Sequence, residues 1–129
     1  MYRFHLLILT VVACMLGVGP AAAQQSGSDE AQLRKLRGEI LQMVGDAPCA
    51  NVVHCRLLAL GSRPCGGADE YLAYSSRTTD TTMLENKALE YSLIQEDLQA
   101  VKEVAGVCTV LPEPQLACIG GHCRVEGEH

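Results

Sequence analysis

Cysteine is the most reactive side chain in this chain, and six of its seven copies, Cys49, Cys55, Cys65, Cys108, Cys118 and Cys123, lie beyond residue 48. Thiols can hold a metal, attack a substrate or pair with one another, and compartment and spacing decide among these. No Cys-x-x-Cys occurs, which argues against a zinc knuckle or a thioredoxin-type redox site. His54-Cys55 and His122-Cys123 put imidazole beside sulfur, but zinc needs unpaired thiolate. In an oxidising compartment the thiols are expected to pair, so neither a metal nor another cofactor is expected. Six cysteines make three bridges, with fifteen pairings open on sequence alone.

The densest local pattern is Gly61-Ser62-Arg63-Pro64-Cys65-Gly66-Gly67-Ala68, followed by Tyr71-Leu72-Ala73-Tyr74-Ser75. Gly66 and Gly67 permit a sharp turn whose backbone N–H groups, beside Arg63, can form an anion-binding nest. The competing reading is structural, since Pro-Cys-Gly-Gly is good turn chemistry around a disulfide. Tyr71 and Tyr74 lie three apart and face opposite sides of a strand, so one ring enters the core while the other is displayed. Arg63, Gly66, Gly67, Tyr71 and Tyr74 are therefore the candidate binding residues.

Catalytic patterns are weaker. A Cys-Gly-Gly loop ahead of a helix suggests a calcium-dependent phospholipase, but the long helix has no histidine to form the His-Asp pair that chemistry needs. Ser75 and Ser76 lack a Gly-x-Ser-x-Gly elbow. Glu96 and Asp97 sit side by side on a solvated face, with no desolvation to raise a pKa for acid catalysis. A small hydrolase would have to bring His54 or His122 beside Asp69 or Glu70 in a cleft.

Two helices must position these groups. Ser28 stands where an N-cap would, with Asp29 and Glu30 in the first turn, and Leu33, Leu36, Ile40 and Val44 form an apolar stripe ending at Gly45. Residues 24–28 are expected to be a flexible lead-in. The longer helix is capped by Thr82 with Glu85, or by Asp80, and Leu84, Ala88, Tyr91, Ile94 or Gln95, Leu98, Val101 and Ala105 recur along one face. Glu85, Lys87, Glu90, Glu96, Asp97, Lys102 and Glu103 occupy the opposite, solvated face. Val52 to Leu60, Tyr71 to Ser75 and Val107 to Leu111 read as extended segments.

At the C-terminal end, Ala117-Cys118-Ile119-Gly120-Gly121-His122-Cys123-Arg124 reads as a hairpin closed by Gly120-Gly121. Cys118 and Cys123 then form a non-hydrogen-bonded pair with Cα atoms about 4.5 Å apart, within disulfide range. A Cys118–Cys123 bridge is favoured on that basis. The alternative is that both sulfurs leave the same face for different partners. Cys49 with Cys55, and Cys65 with Cys108, complete the favoured set.

The N-terminus bounds the compartment. A charged start containing Arg3, an apolar run of about 13 residues from Leu6 to Val18, and Ala21-Ala22-Ala23 before Gln24 form an export signal over residues 1–23. The run is short of the ~20 residues a spanning helix needs, so no transmembrane span is expected in the mature chain. Val11-Val12-Ala13-Cys14 also resembles a lipobox, which would make Cys14 a lipid anchor. Without Arg3, nine basic residues face fifteen acidic ones, and unclustered Lys and Arg argue against nucleic acid. Such an acidic surface favours a soluble monomer.

About 106 residues remain, one domain over 29–129 after the lead-in, and they contain no Trp or Phe. A chain this size buries only about two-thirds of its unfolded surface, so disulfides are expected to replace missing aromatic burial.

From residue 49 to 124 the chain resembles a family of small exported, mostly uncharacterised bacterial proteins marked by Gly-x-Lys/Arg-x-Cys-Gly-Gly, then Tyr-Leu-x-Tyr-Ser, a long helix and C-terminal cysteines. Many members have Pro where Ala68 stands here. The resemblance implies a secreted, disulfide-containing domain and no established activity. Together these readings lead to an α+β domain, an N-terminal helix and one long helix packed on a small, mostly antiparallel sheet and stapled by disulfides. The function expected is a non-enzymatic binding or inhibitory module in the periplasm or outside the cell, engaging a protein or small ligand. A small secreted hydrolase and a structural envelope protein anchored through Cys14 are the alternatives.

Overall fold

A computed structural model describes residues 21–102 and 112–127, so Cys14, Cys108 and the segment from Val107 to Leu111 lie outside the described residues. The fold is α+β: helix α1 (Ala21–Val44), strands β1 (Cys55–Leu60) and β2 (Glu70–Ser75), helix α2 (Thr81–Val101), then β3 (Leu116–Ile119) and β4 (His122–Val125). The strands form two separate antiparallel ribbons, β1 with β2 and β3 with β4. No described helix is long and apolar enough to cross a membrane.

The β1–β2 ribbon forms the middle layer. Its register pairs Leu58 with Leu72 and Arg56 with Tyr74. Because side chains alternate, Leu58, Leu60, Leu72 and Tyr74 share one face, where they pack with Ile40 of α1 and Leu84 and Ala88 of α2. The opposite face carries Cys55 and Ala73, which pack with Ala47, Leu116, Cys118 and Cys123. Thus the helices cover one side of the ribbon and the β3–β4 hairpin covers the other.

Helix α1 starts at Ala21, not after an N-cap at Ser28, and residues 24–28 are helical. Ala and Gln favour a helix strongly enough to carry it through Gly27, whose cost is about 1 kcal/mol. The helix ends as its sequence suggests: Gly45 has φ +51° and donates its N–H to the Leu41 carbonyl at 3.0 Å, an αL cap. Asp80, and not Thr82, caps α2 by accepting from the Met83 N–H at 3.0 Å. Leu84, Ala88 and Leu98 are buried along α2, whereas Val101, expected on that stripe, is exposed.

The helix pair is also tied by charge. Lys87, expected on the solvated face, reaches Glu39 at 2.5 Å, and Lys102 reaches Glu30 at 2.5 Å. Arg37 of α1 makes a two-pronged contact with Glu70 at the start of β2, and that hydrogen-bonded carboxylate holds its guanidinium charge more firmly than usual. Between Val52 and His54 the expected strand is a 3₁₀ turn, because the Asn51 side chain accepts from the Val53 N–H at 3.2 Å and curls the backbone.

Candidate functional site

The Gly61–Asp69 loop connects β1 to β2 and is held from both sides. At its base Asp69 N–H donates to the Leu60 carbonyl at 3.0 Å; within it Gly66 N–H donates to Arg63 O at 2.8 Å and Arg63 N–H to Gly67 O at 3.1 Å. Helix α2 adds a clamp of two glutamines one turn apart. Gln95 accepts from the Ser62 N–H at 2.8 Å and donates to the Asp69 carboxylate at 2.6 Å, while Gln99 donates to the Ser62 carbonyl at 2.6 Å. Gly61 permits this approach: its φ is +80°, and a Cβ there would lie 2.6 Å from Gln95 Oε1 and 2.7 Å from Asp69 Cβ. Pro64, Cys65, Gly66 and Gly67 form the exposed tip.

Gly66 and Gly67 have φ +87° and +88°, the left-handed geometry expected of them. The Gly66 N–H is spent inside the turn, and the Arg63 guanidinium lies 3.9 Å from the Asp69 carboxylate. An incoming anion would therefore have to compete with Asp69 for Arg63. Tyr71 and Tyr74 do face opposite sides, but Tyr74 is 1 % exposed within the core, so its ring cannot meet a ligand and Tyr74 drops out of the candidate surface. Tyr71 is half-buried. Arg63, Gly66, Gly67 and Tyr71 stay on or beside one loop.

Gln95 and Gln99 are the residues that sequence reasoning missed. Their signal was present: Gln95 alternates with Ile94 for a place on the apolar stripe, and a polar residue on a buried stripe needs a hydrogen-bond partner.

The sulfur chemistry differs from the favoured pairing. Cys118 and Cys123 oppose each other in the β3–β4 register, and Gly120 and Gly121 have φ +59° and +82°, so the hairpin itself forms as expected. Yet Cys118 bonds to Cys49 and Cys123 to Cys55, with Cα separations of 6.0 and 5.4 Å. Neither Cys118–Cys123 nor Cys49–Cys55 forms.

The reason is docking. The two hairpin sulfurs leave one face together, and the 47–49 segment lies alongside β4: Cys49 N–H donates to Gly121 O and Cys123 N–H to Ala47 O, each at 2.8 Å, with Pro48 bridging to His122. Cys65 is also disulfide-bonded, but its expected partner Cys108 lies outside the described residues.

The sulfurs of Cys49, Cys55 and Cys123 lie within 4.8 Å of one another. As disulfides they offer no thiolate to a metal. The histidines engage backbone: His54 Nδ1 accepts from the Ala50 N–H at 3.3 Å, and His122 Nδ1 lies 2.7 Å from the Asp46 carbonyl. Asp69 and Glu70 are bonded to Gln95 and Arg37 instead. The His–carboxylate pairs a hydrolase would use are therefore not assembled among the described residues. Compared with protein-family models, curated proteins and solved structures, the chain matches none.

Proposed function

We propose that the protein is a non-enzymatic binding or inhibitory module of the periplasm or the extracellular space, with the Gly61–Asp69 loop as its contact surface. Disulfides form and persist in oxidising compartments, which agrees with an export signal at residues 1–23 and with the resemblance to small exported bacterial proteins. The glutamine clamp carries the reading. An exposed tip with its base already fixed by Gln95 and Gln99 loses little conformational entropy on binding. Tyr71 supplies a half-buried ring at the start of β2, just past the loop's end, and Arg63 a directional donor shared with Asp69.

Affinity capture from a cell-envelope extract tests this, comparing wild type with Arg63→Ala and with Gln95→Ala/Gln99→Ala by quantitative mass spectrometry. A specific partner is expected with wild type. Its recovery falls at least tenfold with Arg63→Ala, and falls with the clamp variant although the thermal midpoint moves little. Equal recovery with all three proteins refutes the loop as the contact surface.

A further inference from the structure

We propose that the four cysteines of the hairpin junction form a thiol-triggered disulfide-exchange switch, which trades Cys49–Cys118 and Cys55–Cys123 for Cys49–Cys55 and Cys118–Cys123 and so uncouples the β3–β4 hairpin. It rests on the juxtaposition of the two bridges and is independent of the loop reading. Three sulfurs drawn from both bridges, Cys49, Cys55 and Cys123, lie within 4.8 Å of one another, so a thiolate freed at Cys55 lies close to Cys49 Sγ. Cys118 and Cys123 are cross-strand partners, a separation that accepts a disulfide. Each exchanged pair thus starts from neighbouring positions.

Access is asymmetric. Cys55 and Cys123 are each 3 % exposed, whereas Cys49 lines an open cleft of about 300 Å³ with Pro48, Ala50, Arg77 and Thr78. A small thiol carrying a carboxylate fits that opening, with Arg77 beside it. Its thiolate attacks Cys49 Sγ, forming a mixed disulfide and expelling the Cys118 thiolate. Cys118 attacks Cys123 Sγ, forming Cys118–Cys123 and releasing the Cys55 thiolate. Cys55 attacks Cys49 Sγ, forming Cys49–Cys55 and returning the small thiol. Two disulfides are consumed and two are made, so the thiol acts as a catalyst and no oxidant or reductant is needed.

The consequence is mechanical. The original bridges span sequence separations of 69 and 68 residues, whereas the exchanged bridges span six and five. Loop closure scaling as the 3/2 power of length favours the first short bridge about 40-fold in an unfolded chain and the second about threefold, because one long bridge already shortens the other's ring to about eleven residues. Only the docked hairpin reverses that preference. After exchange the hairpin is held to the 47–49 segment by non-covalent contacts alone, among them the hydrogen bonds of Cys49 and Cys123 N–H.

Two variants isolate single steps. In Cys118→Ser the Cys49 thiol sits beside the Cys55–Cys123 bridge, and in Cys49→Ser the Cys118 thiol does. Peptide mapping after acid quench is expected to find Cys49–Cys55 or Cys49–Cys123 in the first and Cys118–Cys123 in the second, formed at rates independent of protein concentration. In folded wild type, catalytic reduced glutathione is expected to produce Cys49–Cys55 and Cys118–Cys123 peptides, with faster amide exchange at Cys49 and Cys123. If either variant fails to fold, the wild-type measurement decides. Retention of the original pairing alone after a day with glutathione at pH 8 overturns the switch.

Discussion

Removing one bridge at the hairpin junction tests how this small core is held. In the chain-entropy treatment, closing a ring of 68 residues, the sequence separation of Cys55 and Cys123, restricts the unfolded state by about 4.4 kcal/mol at 25 °C. With Cys49–Cys118 intact, however, the second bridge closes a far smaller ring, six residues on one side and five on the other. A ring of about eleven residues corresponds to about 2.8 kcal/mol. Cys55→Ala/Cys123→Ala is therefore expected to lose about 3 kcal/mol, plus up to ~1 kcal/mol from the small void left by two buried sulfurs.

Cys49→Ala/Cys118→Ala opens the same small ring and is expected to lose about 3 kcal/mol with little further cost, because these cysteines are only half-buried. Removing both bridges costs about 7–8 kcal/mol, because the last bridge to go closes the long ring, and this is comparable with the whole stability of a small domain. Urea unfolding without reductant, followed by circular dichroism, measures each variant; for one bridge the thermal midpoint falls about 12–20 °C. A loss below 1 kcal/mol for either pair, or a four-cysteine variant no less stable than the two-cysteine ones, refutes the reasoning.

Gly61→Ala is expected to cost about 2–3 kcal/mol, since φ is +80° and the new Cβ meets Gln95 and Asp69; Gly38→Ala, in open space on α1, is expected to gain about 0.5–1 kcal/mol. A Gly61→Ala protein of unchanged urea midpoint contradicts the clamp geometry. Leu84→Ala, at the fully buried contact of α2 with the ribbon, is expected to cost about 3 kcal/mol in the same assay.

Acid weakens the helix pair. Hydrogen bonds from Lys102 and Lys87 hold the Glu30 and Glu39 carboxyls below their usual value of 4.5, so this stabilisation is present above that value and is lost as pH falls through the depressed folded ones. Lys87→Met/Lys102→Met is expected to flatten the decline in urea midpoint between pH 5 and pH 3; an unchanged decline refutes the assignment.

Local chemistry was readable in the sequence wherever one element determines it. The 36–40 and 84–88–98 stripes, the Gly45 cap and the Gly120-Gly121 turn depend on near neighbours, and they appear where periodicity and turn residues put them. The Cys118–Cys123 register was legible for the same reason. Sulfur connectivity was not, because it depends on which segment docks against the hairpin face, and the 47–49 segment does so through backbone hydrogen bonds that leave no mark on side-chain type.

The tyrosines show the same limit. Alternation put Tyr71 and Tyr74 on opposite faces, but only the packing of two helices on one face made Tyr74 the buried ring. Gln95 and Gln99 gain a role only once the loop lies against α2. In the helical 24–28 segment the helix propensity of Ala and Gln outweighs the polar composition and the N-cap signal at Ser28.

The disulfide-stapled architecture is tested most directly by mapping the bridges in protein matured in its own compartment. Thiols are alkylated at acid pH on lysis, the unreduced protein is digested, and linked peptides are sequenced by mass spectrometry. Peptides joining Cys49 to Cys118 and Cys55 to Cys123 are expected, with both pairs resistant to alkylation. Alkylated, free thiols at these four positions in folded protein would contradict the account.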